Sequence, residues 1–335
     1  MSIQGEHAVL ISTMRNEGPY ILEWLSHHFA LGFDQLVIFT NDCTDNTDKI
    51  LDRLEVLYPG RIKHQPNPKI MFPKLGKVHI MALRYAYQMG PVRNAGWIYV
   101  TDADEFLTLK DGAQTIDDMI ENTGEFDAIS FTSIPFNSNN LKLPTAEHVT
   151  KRFTQTSKEL DQANKDNISL LTGIKTLFKP ELKGMLRPHR PVTPNFSTTG
   201  MVWKNGSGIQ LGPHFTDGKD KSIESNGTRD FAQLNHYSIK SAAEFLLKVD
   251  RGDAVNAERL GNSLTYWNTA NRAGDTDLCA VKRLGLADEL HNEFMSDPIL
   301  KELHQESYVL REKRLVEFLN TKEGDSLARQ IGYFN

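Results

Sequence analysis

The sequence predicts an α/β protein, a mainly parallel sheet flanked by helices and followed by a helical C-terminal region. Three observations carry this. Over the first hundred residues short apolar runs alternate with stretches at helical spacing, which implies right-handed crossovers onto a parallel sheet. The polar loops of this region follow the apolar runs, so they should gather at one edge of the sheet, where open sheets bind ligands. Beyond Asp253 the chain reads as helical and amphipathic, with Leu300, Leu303, Leu310, Leu315 and Phe318 as inner positions.

Taken in order, Ala8-Val9-Leu10-Ile11 is a first buried strand that passes into the loop Ser12 to Pro19. Pro19 suits the start of a helix, whose inner face is Ile21, Trp24, Leu25, His28 and Phe29 and whose stop is Gly32. Gln35 to Phe39 is a second strand, and it ends in Thr40 to Asp48, a run of turn-forming and capping residues. Ile50, Leu51, Leu54 and Leu57 line the next helix, ended by Pro59-Gly60. Arg61 to His64 is a short third strand. Lys74 to Lys77 opens a helix with Val78, Met81, Ala82, Tyr85 and Met89 at helical period. The strand Trp97 to Val100 then runs into Asp102, Asp104 and Glu105.

After Leu107 the alternation loosens. A short helix is expected over Ile116 to Ile120, a strand over Ala128 to Phe131, and a loop-rich insertion from Asn137 to Asn167. Gly173 to Lys179 alternates like a strand, Asn205 to Gly208 is a hairpin turn, and Asp217 to Arg229 reads as a mobile polar loop. Ser241 and Glu244 form a capping box, so a helix begins at Ala242. On it Glu244, Lys248 and Arg251 share one face, opposite Phe245, Leu246 and Val249.

Composition narrows the classes. With 335 residues, 39% of them hydrophobic, the chain can bury a full core. A net charge of -5 argues against nucleic acid or an anionic membrane as the main partner. Cys43 and Cys279 match neither metal spacing nor a disulfide framework, which makes a reducing cytoplasm the expected location. The first residues lack the pattern of a secretion signal and no apolar run approaches a membrane span, so any membrane contact is expected to be peripheral, at the inner face.

The chemistry centres on the acids. Asp102 and Asp104, on alternate positions of an extended segment, face one way and suit Mn²⁺ or Mg²⁺ shared with a phosphate group. A cap with solvated neighbours is the other reading, and the acids alone leave both open. Arg15, Asn16 and Glu17 read as nucleotide contacts or ordinary loop residues, Asp42 as a contact to base or ribose, and Asp45 as a helix cap. His236 alone reads as structural, and Lys248 and Arg251 as a solvated face with Glu244 pairing to Lys248. There is no Gly-x-x-x-x-Gly-Lys loop, Gly-x-Gly-x-x-Gly or Gly-x-Ser-x-Gly, which disfavours ATPases, nicotinamide enzymes and one class of hydrolase.

Met14-Arg15-Asn16-Glu17, Asn41-Asp42-Cys43-Thr44-Asp45, Trp97 to Phe106, and His236-Tyr237 with Glu244, Lys248 and Arg251-Gly252 together resemble bacterial family 2-type glycosyltransferases. The branch is one whose acidic motif reads Asp-x-Asp-Glu-Phe and which is similar to family 92 enzymes. The resemblance implies a GT-A fold over residues 1–235, with a nucleotide-binding half (1–108) and an acceptor half (109–235). A helical region, 236–335, would pack on it. It implies a metal-dependent transfer of sugar from a nucleotide sugar, UDP-linked, to a hydroxyl of a glycan or lipid-linked acceptor, with inversion, in polysaccharide assembly. Carried over, Asp104, Asp102 and His236 hold Mn²⁺ or Mg²⁺. Thr13, Arg15, Glu17, Asp42, Lys74, Lys77, Asp102, Lys248 and Arg251 bind the nucleotide sugar. The Glu-Asp pair that supplies the base in family 2 is missing here, which leaves Asp253, Glu181 and Glu224 as candidates. Nucleotidyl transfer and a binding module without catalysis are the rival readings.

Overall fold

A computed structural model describes residues 7–72, 74, 76–110, 112–157, 171–182, 186–252 and 263–334. The first half follows the expected alternation. Strands β1 (Ala8–Met14), β2 (Gln35–Thr40), β3 (Ile62–Pro66) and β4 (Trp97–Val100) are parallel, in the order β3-β2-β1-β4. Between them run α1 (Ile21–Ala30), α2 (Thr47–Leu57), α3 (Val78–Ala86) and the short α4 (Gly90–Arg93). The polar ends of all four strands lie at one edge, as the loop spacing predicts.

Past β4 the sheet curls. After β5 (Glu105–Leu109) come α5 (Ile116–Thr123), β6 (Ala128–Pro135), α6 (Val149–Arg152), β7 (Gln155–Ser157) and β8 (Leu171–Phe178). They are followed by β9 (Trp203–Asn205), α7 (Pro213–Thr216), β10 (Ser222–Glu224) and β11 (Ala232–His236). The order continues from β4 as β8-β6-β11-β5, with β8 antiparallel to both β4 and β6, and β11 parallel to β6. Consecutive strands β4 and β5 therefore stand at opposite ends of this second half, and Asp102 to Asp104 form the bend that joins them. The stretch Asp217 to Arg229, expected as a loop, contains β10, whose backbone is paired with β8.

The C-terminal region contains α8 (Ala242–Arg251), α9 (Ser263–Ala270), α10 (Leu284–Ser296), α11 (Pro298–Leu319) and α12 (Lys322–Gln330). It is not wholly helical, because β12 (Ala273–Thr276) pairs with β7. The Ser241–Glu244 capping box is present, and Leu300, Leu315 and Phe318 are buried as expected. Alternation along the strands divides the core. Ala8, Leu10, Leu36 and Ile38 pack with α1, α2 and α5 on one face of the sheet, while Val9, Ile11, Val37 and Phe39 pack with α3 on the other. A third cluster joins α8, α9, α11 and α12 through Phe245, Trp267, Leu315 and Leu327.

Candidate active site

The acidic bend is fixed by neighbours from several elements. The Glu105 carboxylate accepts from the Thr101 hydroxyl and the Asp102 N–H, both at 3.0 Å, and so closes the turn from inside. The buried Trp24 indole on α1 donates to the carbonyls of Asp102 (3.2 Å) and Glu105 (3.0 Å). The Tyr237 N–H, just past β11, donates to the Asp104 carbonyl at 2.8 Å. Both aspartate side chains are thereby presented from an anchored backbone, and Glu105 is structural.

Each aspartate has its own cation. Lys175 on β8, fully buried, places its Nζ 2.8 Å from Asp102 and 3.3 Å from Glu105, while His79 on α3 lies 3.6 Å from the other Asp102 oxygen. Lys248 on α8 lies 2.9 Å from one Asp104 oxygen and His236 Nε2 lies 3.5 Å from the other. Burial opposes ionisation of Asp104, but Lys248 and His236 outweigh it and hold its pKa well below the usual carboxylate value. Asp102 is also held low, with burial outweighed by Lys175 and His79. Glu105 goes the other way, its pKa raised by burial despite Lys175. For His236, burial lowers the pKa less than the Asp104 carboxylate raises it, so the net shift is upward.

The loops after β1 and β2 are tied together beside this bend. Asn16 and Asp42 both take left-handed backbone conformations, which Asn and Asp tolerate best among side-chain-bearing residues. The Asn16 side-chain oxygen Oδ1 accepts from the Thr44 N–H at 2.8 Å, and the Asp45 carboxylate accepts from Gly18 N–H (2.8 Å) and Thr47 N–H (3.1 Å). Asp45 thus serves the start of α2 and the neighbouring loop at once. The last turn of α8 closes the group. Arg251 donates to the Glu17 carboxylate and to the Arg15 carbonyl, and Arg15 donates back to the Arg251 carbonyl at 3.1 Å.

Asp102, Asp104, His236, Lys248, Arg251, Arg15 and Glu17 thus meet at the carboxyl edge of the sheet. Thr13 and Asp42 lie at the ends of β1 and β2 on that edge, and Asp42 is exposed. Lys74 and Lys77 are exposed in the loop before α3 and touch none of these groups among the described residues. The expected Glu244–Lys248 pair does not form. Glu244 turns to Arg152 at 2.8 and 2.9 Å, both side chains almost fully buried, which leaves Lys248 for Asp104. Of the base candidates, Glu181 is exposed at the opposite edge, because β8 runs antiparallel to β4 and carries its C-terminal end away from Asp102. Glu224 is exposed and pairs in register with Leu171, on the Asp102 side of β8. Asp253 lies outside the described residues.

Sequence reasoning passes over Lys175, His79 and His189. Lys175 shares a strand face with the buried Leu177, and a lysine on an apolar face was the available signal. His189, in the proline-rich stretch, is brought within 3.1 Å of the Ile174 carbonyl, and burial lowers its pKa to about 4. Among the described residues no three His, Cys, Asp or Glu side chains gather in a metal cage, so Asp102, Asp104 and His236 do not form a closed one.

The site thus stands on a curled sheet of mostly parallel strands flanked by helices, with a helical C-terminal region. The chain belongs to glycosyltransferase family 92, whose description it matches over residues 6–207, and it is a glycosyltransferase. No curated protein matches its sequence significantly. Similar solved structures include the mannosyltransferase PcManGT from Pyrobaculum calidifontis in complex with GDP-Man and Mn²⁺. That chain is 13% identical with a TM-score of 0.33, over 98% of this chain and 84% of its own. TarS of S. aureus is 13% identical with a TM-score of 0.32, over 96% of this chain and 50% of its own. Glucosyl-3-phosphoglycerate synthase from Mycobacterium tuberculosis is 13% identical with a TM-score of 0.28, over 53% of this chain and 58% of its own.

Proposed function

We propose that this glycosyltransferase uses a nucleoside-diphosphate sugar, UDP-linked, and a divalent ion, Mn²⁺ or Mg²⁺, and transfers the sugar to a hydroxyl of a glycan or lipid-linked acceptor with inversion. The observation that carries this reading is the convergence of His236 from β11 and Lys248 from α8 within 3.5 Å of the Asp104 carboxylate on the acidic bend. A carboxylate and an imidazole are ligands that suit Mn²⁺, and two of them leave coordination positions for diphosphate oxygens and water. Asp104 and His236 would hold the ion, with Asp102, braced by Lys175, facing the ribose or a water on the ion. When bound, the ion neutralises charge on the departing diphosphate.

The chain's own residues do the rest. Lys248 holds Asp104 before the donor arrives and then serves the diphosphate as a second cation, with Arg251 beside it. Glu17 and the backbone of Arg15 keep Arg251 oriented. Thr13, Arg15 and Asp42 line the edge where the nucleotide lies. Glu224 is the base candidate on the Asp102 side of β8, and inversion rests on family kinship. The reading favours a cytoplasmic role in polysaccharide assembly, and the absence of Gly-rich basic sequence after β1 disfavours nucleotidyl transfer.

The test is a thermal-shift panel of UDP, UDP-sugars and GDP-sugars with and without Mn²⁺. At a hundredfold excess over Kd a ligand selective for the native state adds about 2.7 kcal/mol of stability. Stabilisation by a UDP-sugar only with Mn²⁺ is expected. No shift with any nucleoside diphosphate would refute the reading.

A further inference from the structure

The loop between β3 and α3 carries Ile70, Met71 and Phe72 in succession at 55%, 76% and 54% exposure. Single exposed apolar residues are ordinary, but three in a row at a loop tip are not. The loop is braced from within. The Asn67 side chain, 1% exposed, donates to the Val78 carbonyl at 3.2 Å and accepts from the Lys69 N–H at 2.9 Å, and its own N–H donates to the Thr40 carbonyl at 2.7 Å. The Lys69 Nζ spans the loop to the Gly76 carbonyl at 2.7 Å. The apolar tip is therefore held outward from the same sheet edge as the active site, while His79 in the first turn of α3 faces Asp102.

The charge around the tip is one-sided. Between Glu55 and Asp102 lie 46 residues with no Asp or Glu and with seven Lys or Arg, in a chain whose net charge is -5. Lys69, Lys74 and Lys77 flank the tip, and among the described residues no carboxylate pairs with them. An apolar tip with a cationic collar matches the depth profile of an anionic bilayer, lipid phosphates outside and acyl chains within.

We propose that Ile70, Met71 and Phe72 insert into an anionic lipid surface while Lys69, Lys74 and Lys77 meet its phosphates. The active-site edge then faces the membrane. Each lysine close to such a surface contributes about a fivefold factor to binding, so the three together give roughly a hundredfold preference for anionic over neutral vesicles. This does not depend on the identity of the donor.

The experiment is vesicle co-sedimentation of the full chain with phosphatidylglycerol-containing or pure phosphatidylcholine vesicles, beside the variants M71D/F72D and M71S/F72S. Binding to anionic vesicles, weakened by salt and lost at least tenfold in both variants, is expected, with unchanged melting temperature and unchanged stabilisation by UDP and Mn²⁺. If wild type ignores anionic vesicles, or if the variants bind them as well as wild type, the proposal fails. It fails equally if light scattering shows a wild-type dimer that the variants convert to monomer, since the tip then joins copies of the chain. Loss of the UDP response in variants that retain vesicle binding would make the tip a donor-site lid and overturn the proposal.

Discussion

Replacing Glu244 by alanine tests how the active-site helix is held. Its carboxylate accepts from both terminal nitrogens of Arg152 at 2.8 and 2.9 Å, and from the Ser241 N–H and hydroxyl at 3.0 and 2.5 Å. Both charged side chains are 2% exposed, so removing one leaves the other as an uncompensated buried charge. Breaking such a pair costs about 3–5 kcal/mol, and losing the capping contact about 1 kcal/mol more. For a domain with a total stability of about 5–15 kcal/mol this is a large fraction. Burial opposes ionisation of Glu244, but Arg152 and Ser241 lower its pKa to about 2. Because the folded value lies below the unfolded one of about 4.3, the pair stabilises fully above that pH and less as the pH falls towards 2. Urea titrations of wild type and E244A should differ by about 4–6 kcal/mol at pH 7 and converge in acid. R152M/E244M should lose less than the sum of its single variants. A loss below about 1 kcal/mol at pH 7, or one independent of pH, would refute this account of α8.

Other perturbations probe the same edge. K175M should cost about 3–5 kcal/mol at pH 7 by leaving Asp102 and Glu105 without their buried cation. The loss should shrink as the pH falls and Glu105, whose pKa burial raises, takes up a proton, and circular-dichroism melts at neutral and acid pH would measure both. G18A puts a Cβ 2.5 Å from the Asp45 carbonyl oxygen and 2.9 Å from the Ser307 Cβ, so chemical denaturation should show a loss of about 1–3 kcal/mol. The Asp104 carboxylate raises the His236 pKa after burial has pulled it down. Their pairing therefore stabilises fully below the unfolded value of about 6.5 and fades as the pH rises through the higher folded value. Metal binding requires the neutral imidazole, so calorimetric Mn²⁺ affinity with UDP present should rise across that interval in wild type and stay flat in H236A.

Much of the architecture is legible in the sequence because local rules decide it. Apolar runs such as Gln35 to Phe39 leave the chain little choice but buried strand, and Ser241 with Glu244 marks the start of α8 to the residue. Non-local pairing is harder to read. A second strand, β5, begins at Glu105, directly after the acidic bend, because the backbone of β11 is available to pair with it. β10 forms in a polar stretch because β8 offers an edge. At the site, the sequence points to Asp102, Asp104, His236, Lys248 and Arg251, but the ionic partners emerge only in three dimensions. Helical spacing suggests Glu244 for Lys248, whereas the fold brings Arg152 to Glu244 from 92 residues away and Asp104 to Lys248 from 144. Lys175 finds its partners only where the curl of the sheet brings it between two carboxylates.

The central claim is that Asp104 carries the ion on which the donor diphosphate depends. The direct measurement is calorimetric titration of UDP into wild type and D104N, each with and without Mn²⁺. D104N keeps the shape of the side chain and removes its charge. Wild type should bind UDP with Mn²⁺ and far more weakly without it, and D104N should show the weak affinity under both conditions. Equal Mn²⁺-dependent binding by D104N would contradict the claim.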